Sequence, residues 1–345
     1  MTEKRHRPAP AKAPARDKRQ GSAPAQVPAR GHSAPGKKPA RGDVVIAIDV
    51  GGTAMKCALV DAAGTIQHAE RHPTGAARGP EAVVETILSV ATGLVGTAAT
   101  KGRTVSAAGV VVPGVVDGPA GLAVWSANVG FREVPMRDLL SERLGLPAAL
   151  GHDVRAGGAA EARLGAGKGY RHVLFLAIGT GIAGAHVVNG VAFDGAHGAA
   201  GEVGHLVVRP DGVKCGCGTL GCLETVASAS AIGRTYAERA GGTATAADVA
   251  TRAAAGDEVA AAVWAEAVDA LADGLRTAIT LYDPEVVVVG GGLAEAGAAL
   301  LGPLDTALAG KLTFQHRPAL VRAALGDEAG CLGAGLLALS LVDGG

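Results

Sequence analysis

Three of the chain's five cysteines, Cys215, Cys217 and Cys222, fall within eight residues, spaced by glycines that let their side chains turn towards one point. His205 precedes them by ten, twelve and seventeen residues. One imidazole with three thiolates is the closed four-ligand set of a structural zinc, with no position left for a catalytic water. Scattered cysteines behave as small buried hydrophobes, but this clustering favours a metal knot. Glu202 and Glu224 bracket the knot. They are either fixed on one wall of a cleft or ordinary solvated charges, and spacing leaves both readings open.

A second device occurs twice. Val44–Val50 reads as a buried strand, Gly51 and Gly52 force a turn, and Lys56–Asp61 returns as a strand. Some 130 residues later Val173–Ile178, Gly179-Thr180-Gly181 and a strand to Val188 repeat it, which suggests two related halves. Glycine turns of this kind can bring backbone N–H groups up to phosphate oxygens. Asp49, at the end of the first strand, can hold Mg²⁺ through water, although Asp before Gly-Gly is also ordinary turn chemistry.

Between and beyond these devices the pattern alternates helix and strand. Glu81–Val95 reads as an amphipathic helix, and Ser106–Val112 as a strand ending in Pro113-Gly114. Leu146–Leu150 is a short strand, followed by Gly151, His152 and Asp153, with Asp153 as the N-cap of a helix to Leu164. Helices are expected over Val226–Arg239, Ala246–Ala254 and Glu258–Leu281, stopped by Asp283-Pro284. A strand over Glu285–Val289 runs into Gly290, Gly291 and Gly292, a final strand covers Ala319–Leu325, and a closely packed helix covers 329–341.

The run GAAGEVGH followed by CGCGTLGCLE resembles the ROK family of sugar kinases and repressors, near the bacterial glucokinases. The resemblance extends over nearly everything from Val44 onward. It implies an α/β chain with the actin-like ATPase (RNase H-like) fold, two domains around a nucleotide and sugar cleft. The domains would be 43–151, completed by the C-terminal helix 329–345, and 152–328 with the zinc loop. It implies ATP-dependent phosphorylation of a hexose, glucose foremost, at the C6 hydroxyl, with ATP, Mg²⁺ and structural Zn²⁺ as cofactors.

By the same resemblance Asp153 is the catalytic base, and Gly114, Asn128, His152, Glu202, His205 and Glu224 hold the sugar. Asp49, Gly51, Gly52, Thr53, Lys56, Gly179, Thr180 and Gly181 face the phosphates, and Gly290, Gly291 and Gly292 the adenosine. His205, Cys215, Cys217 and Cys222 bind zinc. The chain departs from the family twice. Ala54 replaces the Lys after the first loop's Thr, with Lys56 two places on, an arrangement similar to polyphosphate-using relatives. His152 replaces the Asn before the catalytic Asp, so the sugar preference should change, and sugar affinity should vary between about pH 6 and 7.5 as the imidazole titrates. A non-catalytic sugar-sensing regulator is the other alternative, and such relatives carry an N-terminal helix-turn-helix. Homodimers or homotetramers are the family's habit.

Residues 1–42 are a different material. They hold 11 Lys or Arg against Glu3 and Asp17, about +9, while the rest carries about −9, so the net charge of zero hides an asymmetry. Such a segment is expected to be disordered, without the apolar periodicity of a helix-turn-helix. A basic tail can attract polyanions, or merely be solvated. With aromatic residues at 3%, base-stacking nucleic-acid modules are not expected. No secretory signal or membrane span is read, and a cytoplasmic location is expected.

Overall fold

The computed structural model describes residues 43–343, so the expectation for the basic tail lies outside the described residues. In chain order come β1 (Val44–Val50), β2 (Ala54–Asp61), β3 (Ile66–Pro73), α1 (Pro80–Thr100), β4 (Val105–Val112) and a small hairpin sheet of β5 (Val115–Asp117), β6 (Leu122–Ser126) and β7 (Phe131–Val134). Then follow α2 (Met136–Leu144), β8 (Ala148–His152), α3 (Asp153–Leu164), β9 (His172–Ile178), β10 (Ile182–Val188) and β11 (Val191–Ala192). The chain continues through α4 (Glu224–Ala227), α5 (Ala229–Ala240), α6 (Ala246–Ala254), α7 (Glu258–Tyr282), β12 (Val286–Gly290), α8 (Ala298–Lys311), β13 (Ala319–Arg322) and α9 (Ala329–Asp343).

The two suspected halves share one topology. The first sheet runs β3-β2-β1-β4-β8 and the second β11-β10-β9-β12-β13. In each, the first three strands pair antiparallel and the last two lie parallel to the first. The glycine turns therefore occupy equivalent places, after the central strand of each sheet.

Apart from Asp49 near the end of β1 and His172 at the start of β9, both central strands are apolar because both of their faces are covered. Ile46, Ile48 and Val50 pack with Ile87 and Leu94 of α1, while Val45 and Ala47 meet Leu332 and Leu336 of α9. Leu174, Leu176 and Ile178 join the α7 core, while Val173 and Phe175 face the other way with Ala162 and Ala185. Each fully buried side chain of this kind contributes about 1.5–3 kcal/mol. Between the sheets α3 and α9 touch closely: a Cβ built on Gly333 would stand 2.3 Å from the Ala156 carbonyl, so Gly333→Ala would force the helices apart. The C-terminal helix thus returns to the first sheet, as read from the sequence. By length and composition α1 is apolar enough to span a bilayer. Its apolar side, with Val83, Ile87 and Leu94, is buried in the first core, and it serves as a core helix.

Some boundaries differ from expectation. The strand expected at Leu146–Leu150 lies two residues later, which makes His152 the N-cap of α3 and Asp153 its first helical residue. The helix expected over Val226–Arg239 breaks at Ser228, whose Oγ accepts the Ala231 N–H and caps α5. The last strand stops at Arg322, because the N–H groups of Ala324 and Leu325 donate to the buried Glu161 carboxylate. A 3-10 turn, Gly292–Ala296, separates the glycine run from α8. The edge strand β3, the β5-β6-β7 sheet and α2 were not foreseen.

Candidate functional site

The first loop is held from outside. Fully buried Thr74 donates its N–H to Thr53 O at 3.0 Å and its hydroxyl to Gly51 O at 2.6 Å. Gly51 must lack a side chain, since a Cβ there would lie 2.8 Å from Ala54 O. Asn128 sits against this loop, its Cβ 3.5 Å from where a Gly52 Cβ would be. Gly114, at φ 105°, lets the chain pass Trp125 O, which a Cβ would approach to 2.2 Å. Beside it, the buried Ser126 hydroxyl has no protein partner.

Asp49 is largely enclosed at the start of α9, where a Cβ on Gly330 would come within 2.5 Å of its Oδ2. Burial pushes its carboxyl up to about 6, against the pull of Lys56 and with a further push from Asp153. A carboxylate whose charge is made costly by burial and by a second carboxylate suits a divalent cation, and Asp49 fits Mg²⁺ in that respect. Lys56 Nζ lies 3.8 Å from Asp49 Oδ2 and donates to Asp327, which also takes Arg71. The lysine is therefore engaged with carboxylates beside the loop.

Asp153 Oδ1 accepts the Val154 N–H at 2.7 Å. His152 is buried, and its Nδ1 accepts the Arg155 N–H at 3.4 Å while lying 3.3 Å from Asp153 Oδ1. As acceptor of that N–H the neutral ring carries its proton on Nε2, whereas a proton on Nδ1 would face Asp153 Oδ1. Burial pushes the imidazole below its ordinary range, outweighing the nearby Asp153 carboxylate. The expected titration between about pH 6 and 7.5 is thereby corrected downwards.

Arg155, buried and unforeseen, binds the first turn of α3 to the loop that bears Glu202. Its Nη1 donates to Gly198 O at 3.0 Å, and its Nε stands 2.9 Å from Asp194 Oδ1 without hydrogen-bond geometry. Gly198 and Gly201, at φ 67° and 93°, press the loop on Val116 O and Gly184 O. The carboxyl of Glu202 is raised by burial, opposed by His205 and Arg155, and raised again by Glu224 and Asp153. Glu224 and Asp153 thus both act on the Glu202 carboxyl.

The donor atoms of His205, Cys215, Cys217 and Cys222 all lie within 4.8 Å of one another. Cys215 Sγ is 3.6 Å from His205 Nδ1, and Cys217 Sγ is 3.6 Å from Cys222 Sγ. A zinc tetrahedron with Zn–S near 2.3 Å has edges of about 3.8 Å, so the set fits the metal. Thr219 backbone and side-chain groups pull the Cys217 thiol down to about 6, while burial pushes Cys215 up to about 12. His205 Nε2 faces Glu202 Oε2 at 3.9 Å. Arg209 clamps this loop to α7 through Asp269 and Asp273, at 2.6 and 2.8 Å.

At the second loop, Gly179 N–H donates to Gly181 O, and the Ala229 N–H to Gly179 O at 2.8 Å. Glu224 adjoins the same loop, its Oε2 3.0 Å from a Cβ built on Gly181. Gly291, at φ 79°, packs on the Ile178 backbone. Beyond it opens a cavity of about 650 Å³ lined by Ala229, Ala246, Ala250, Gly292, Leu293 and Ala299, among others. Gly292, expected from the sequence to face the adenosine, lines this cavity. The α6 residues were not, since alanines at helical spacing read as packing.

The family model described as "ROK family" matches residues 45–340. A glucokinase of Thermotoga maritima is 34% identical over 311 residues, 84% of this chain and 95% of that protein. An N-acetylmannosamine kinase of Escherichia coli O157:H7 is 33% identical over 299 residues, 85% of this chain and 97% of that one. The structure is similar to a ROK family glucokinase from Streptomyces griseus in complex with glucose and AMPPNP, with a TM-score of 0.72 and 30% identity, over 86% of this chain and 99% of the other. Since the match takes in both sheets, both glycine loops and the cysteine knot, the chain belongs to the ROK family and has its actin-like ATPase fold.

Proposed function

We propose that the protein transfers the terminal phosphoryl group of a nucleoside triphosphate to the C6 hydroxyl of a hexose, glucose first. The observation that supports this most is Glu224 set against Gly181 in one of two glycine loops of equivalent topology, with Glu224 and Asp153 both acting on the Glu202 carboxyl. Residues 43–151 with the 329–345 helix would form one domain and 152–328 the other, closing on the substrates to exclude water as a rival acceptor.

In this reading Asp153 accepts the hydroxyl proton. Oδ1 is engaged by the Val154 N–H, so Oδ2 is the oxygen left for the sugar. Gly114, Asn128, His152, Glu202, His205 and Glu224 orient the hexose. The N–H groups of Gly52, Thr53, Thr180 and Gly181 face the phosphates, those of Gly51 and Gly179 being used within their turns, and positioning with electrostatics carries most of such a transfer. Asp49 would hold Mg²⁺ through water, and the ion when bound would neutralise phosphate charge. His205 with the three cysteines would hold a zinc that fixes the Glu202 and Glu224 wall.

The alanine-lined cavity beside Gly291 and Gly292 favours a nucleotide donor over polyphosphate, which has no base to bury. A coupled assay with ATP and with polyphosphate, over glucose, mannose, galactose and N-acetylmannosamine, tests the reading. ATP-dependent formation of glucose 6-phosphate is expected. Failure of every sugar and donor pair would leave the regulator reading in its place.

A further inference from the structure

The cavity beside the second loop is built almost without groups that could read a base. Its walls are mostly alanine, with Gly292 and Leu293, and among the described lining residues the polar side chains are Thr245, Thr251 and Glu295. Both hydroxyl protons are committed, and the Glu295 carboxylate, 66% exposed, keeps its second oxygen in water. The Thr245 hydroxyl donates to Asp248 Oδ2 at 2.8 Å and accepts the Asp248 N–H at 3.1 Å, closing the capping box of α6. Thr251 donates to Ala247 O at 2.9 Å, and Glu295 pairs with Arg322. The carbonyl of Ala299 takes the Trp264 indole N–H at 3.1 Å.

We infer that the protein accepts purine nucleoside triphosphates as a class, holding the donor's base by shape and apolar contact rather than by its hydrogen-bonding edge. The inference rests on the phosphotransferase reading above. Strong discrimination arises when a site's own buried polar groups would be left unpaired by the wrong ligand. Here no side-chain donor is free to meet a purine N1 or O6, and the remaining acceptors are hydroxyl lone pairs and the solvated second oxygen of Glu295, whose hydrogen bond to a base amino group only replaces one to water, worth a factor of about ten. Adenine, guanine and hypoxanthine would meet the same walls.

The test is kcat/KM for ATP, GTP and ITP with saturating glucose. Values within about thirtyfold of one another are expected, and a larger preference for ATP overturns the inference. Ala250→Leu, which fills the cavity, should raise KM for all three donors by a common factor of about five or more and leave the KM for glucose unchanged. Unmoved donor KM values, in a protein with an unchanged melting temperature, would place the base elsewhere and overturn the inference while leaving the kinase reading intact. If Ala250→Leu fails to fold, Ala254→Leu at the exposed rim serves the same comparison. Transfer from none of the three donors would instead defeat the kinase reading itself.

Discussion

Cys215 Sγ lies 3.0 Å from Glu224 Oε1, so a candidate zinc ligand and a candidate sugar ligand are in direct contact. The same carboxylate is 3.5 Å from His205 Nδ1 and adjoins Gly181 of the second loop. The candidate metal knot, sugar wall and phosphate loop therefore share one side chain.

The first prediction follows from that sharing. Purified protein should hold about one zinc per chain by elemental analysis, and Cys217→Ser should lower the zinc content and raise the KM for sugar more than it changes the KM for nucleotide. Fresh protein free of zinc, or a variant whose sugar KM is untouched, would separate the knot from the site.

Asp49 combines a cost in stability with a site position. Its carboxyl is raised from 3.8 to about 6 chiefly by burial, so the native state binds the proton more tightly than the unfolded chain does. Stability from this group is complete below about pH 4 and lost as pH rises through 6. Asp49→Asn should thus raise the melting temperature at pH 7.5 in EDTA, by a few degrees for a penalty on the order of 2–3 kcal/mol. The gap should close as pH falls towards 4, and kcat should drop. A variant less stable than wild type at pH 7.5 would show that Asp49 contributes to the fold as an anion.

How much of this was legible depended on whether a residue's neighbours lie near it in the sequence. Both central strands could be read because burial on two faces leaves an unbroken apolar run, and each glycine turn follows its strand directly. The His205 and cysteine set was legible because its spacing is local. Thr74 could not be read, since its partners Gly51 and Thr53 are more than twenty residues away, and neither could Arg155, which answers carbonyls some forty residues on. The strand β3 was missed because an edge strand with one solvated face reads as polar. Asp153 was expected to cap its helix. A two-residue shift of the preceding strand gave that task to His152, and no propensity distinguishes those registers.

Asp153→Asn should lower kcat by about a hundredfold or more, the range for losing a general base, because the amide cannot take the hydroxyl proton. Its carbonyl can still accept the Val154 N–H, so α3 should start unchanged and glucose should still bind by calorimetry. Turnover near wild type in the folded variant would remove Asp153 from the base role.

The last prediction concerns His152, where burial favours the neutral ring, which has a single donor. Asn at this place would offer two donors and an acceptor, so His152→Asn should shift the ratio of kcat/KM between hexose epimers while leaving the KM for nucleotide nearly unchanged. The depressed imidazole also sets a sign for stability. Below about pH 6.5 the unfolded chain takes up a proton that the folded ring, faced by Arg155 as well as by Asp153 and Asp194, takes up only at lower pH. Melting temperature should therefore fall more steeply from pH 7 to 5 in wild type than in His152→Asn, and sugar affinity should stay flat between pH 7.5 and 6.5. Parallel melting curves with identical epimer ratios would mean that the ring only packs behind Asp153, and that its replacement of Asn leaves the sugar site as it was.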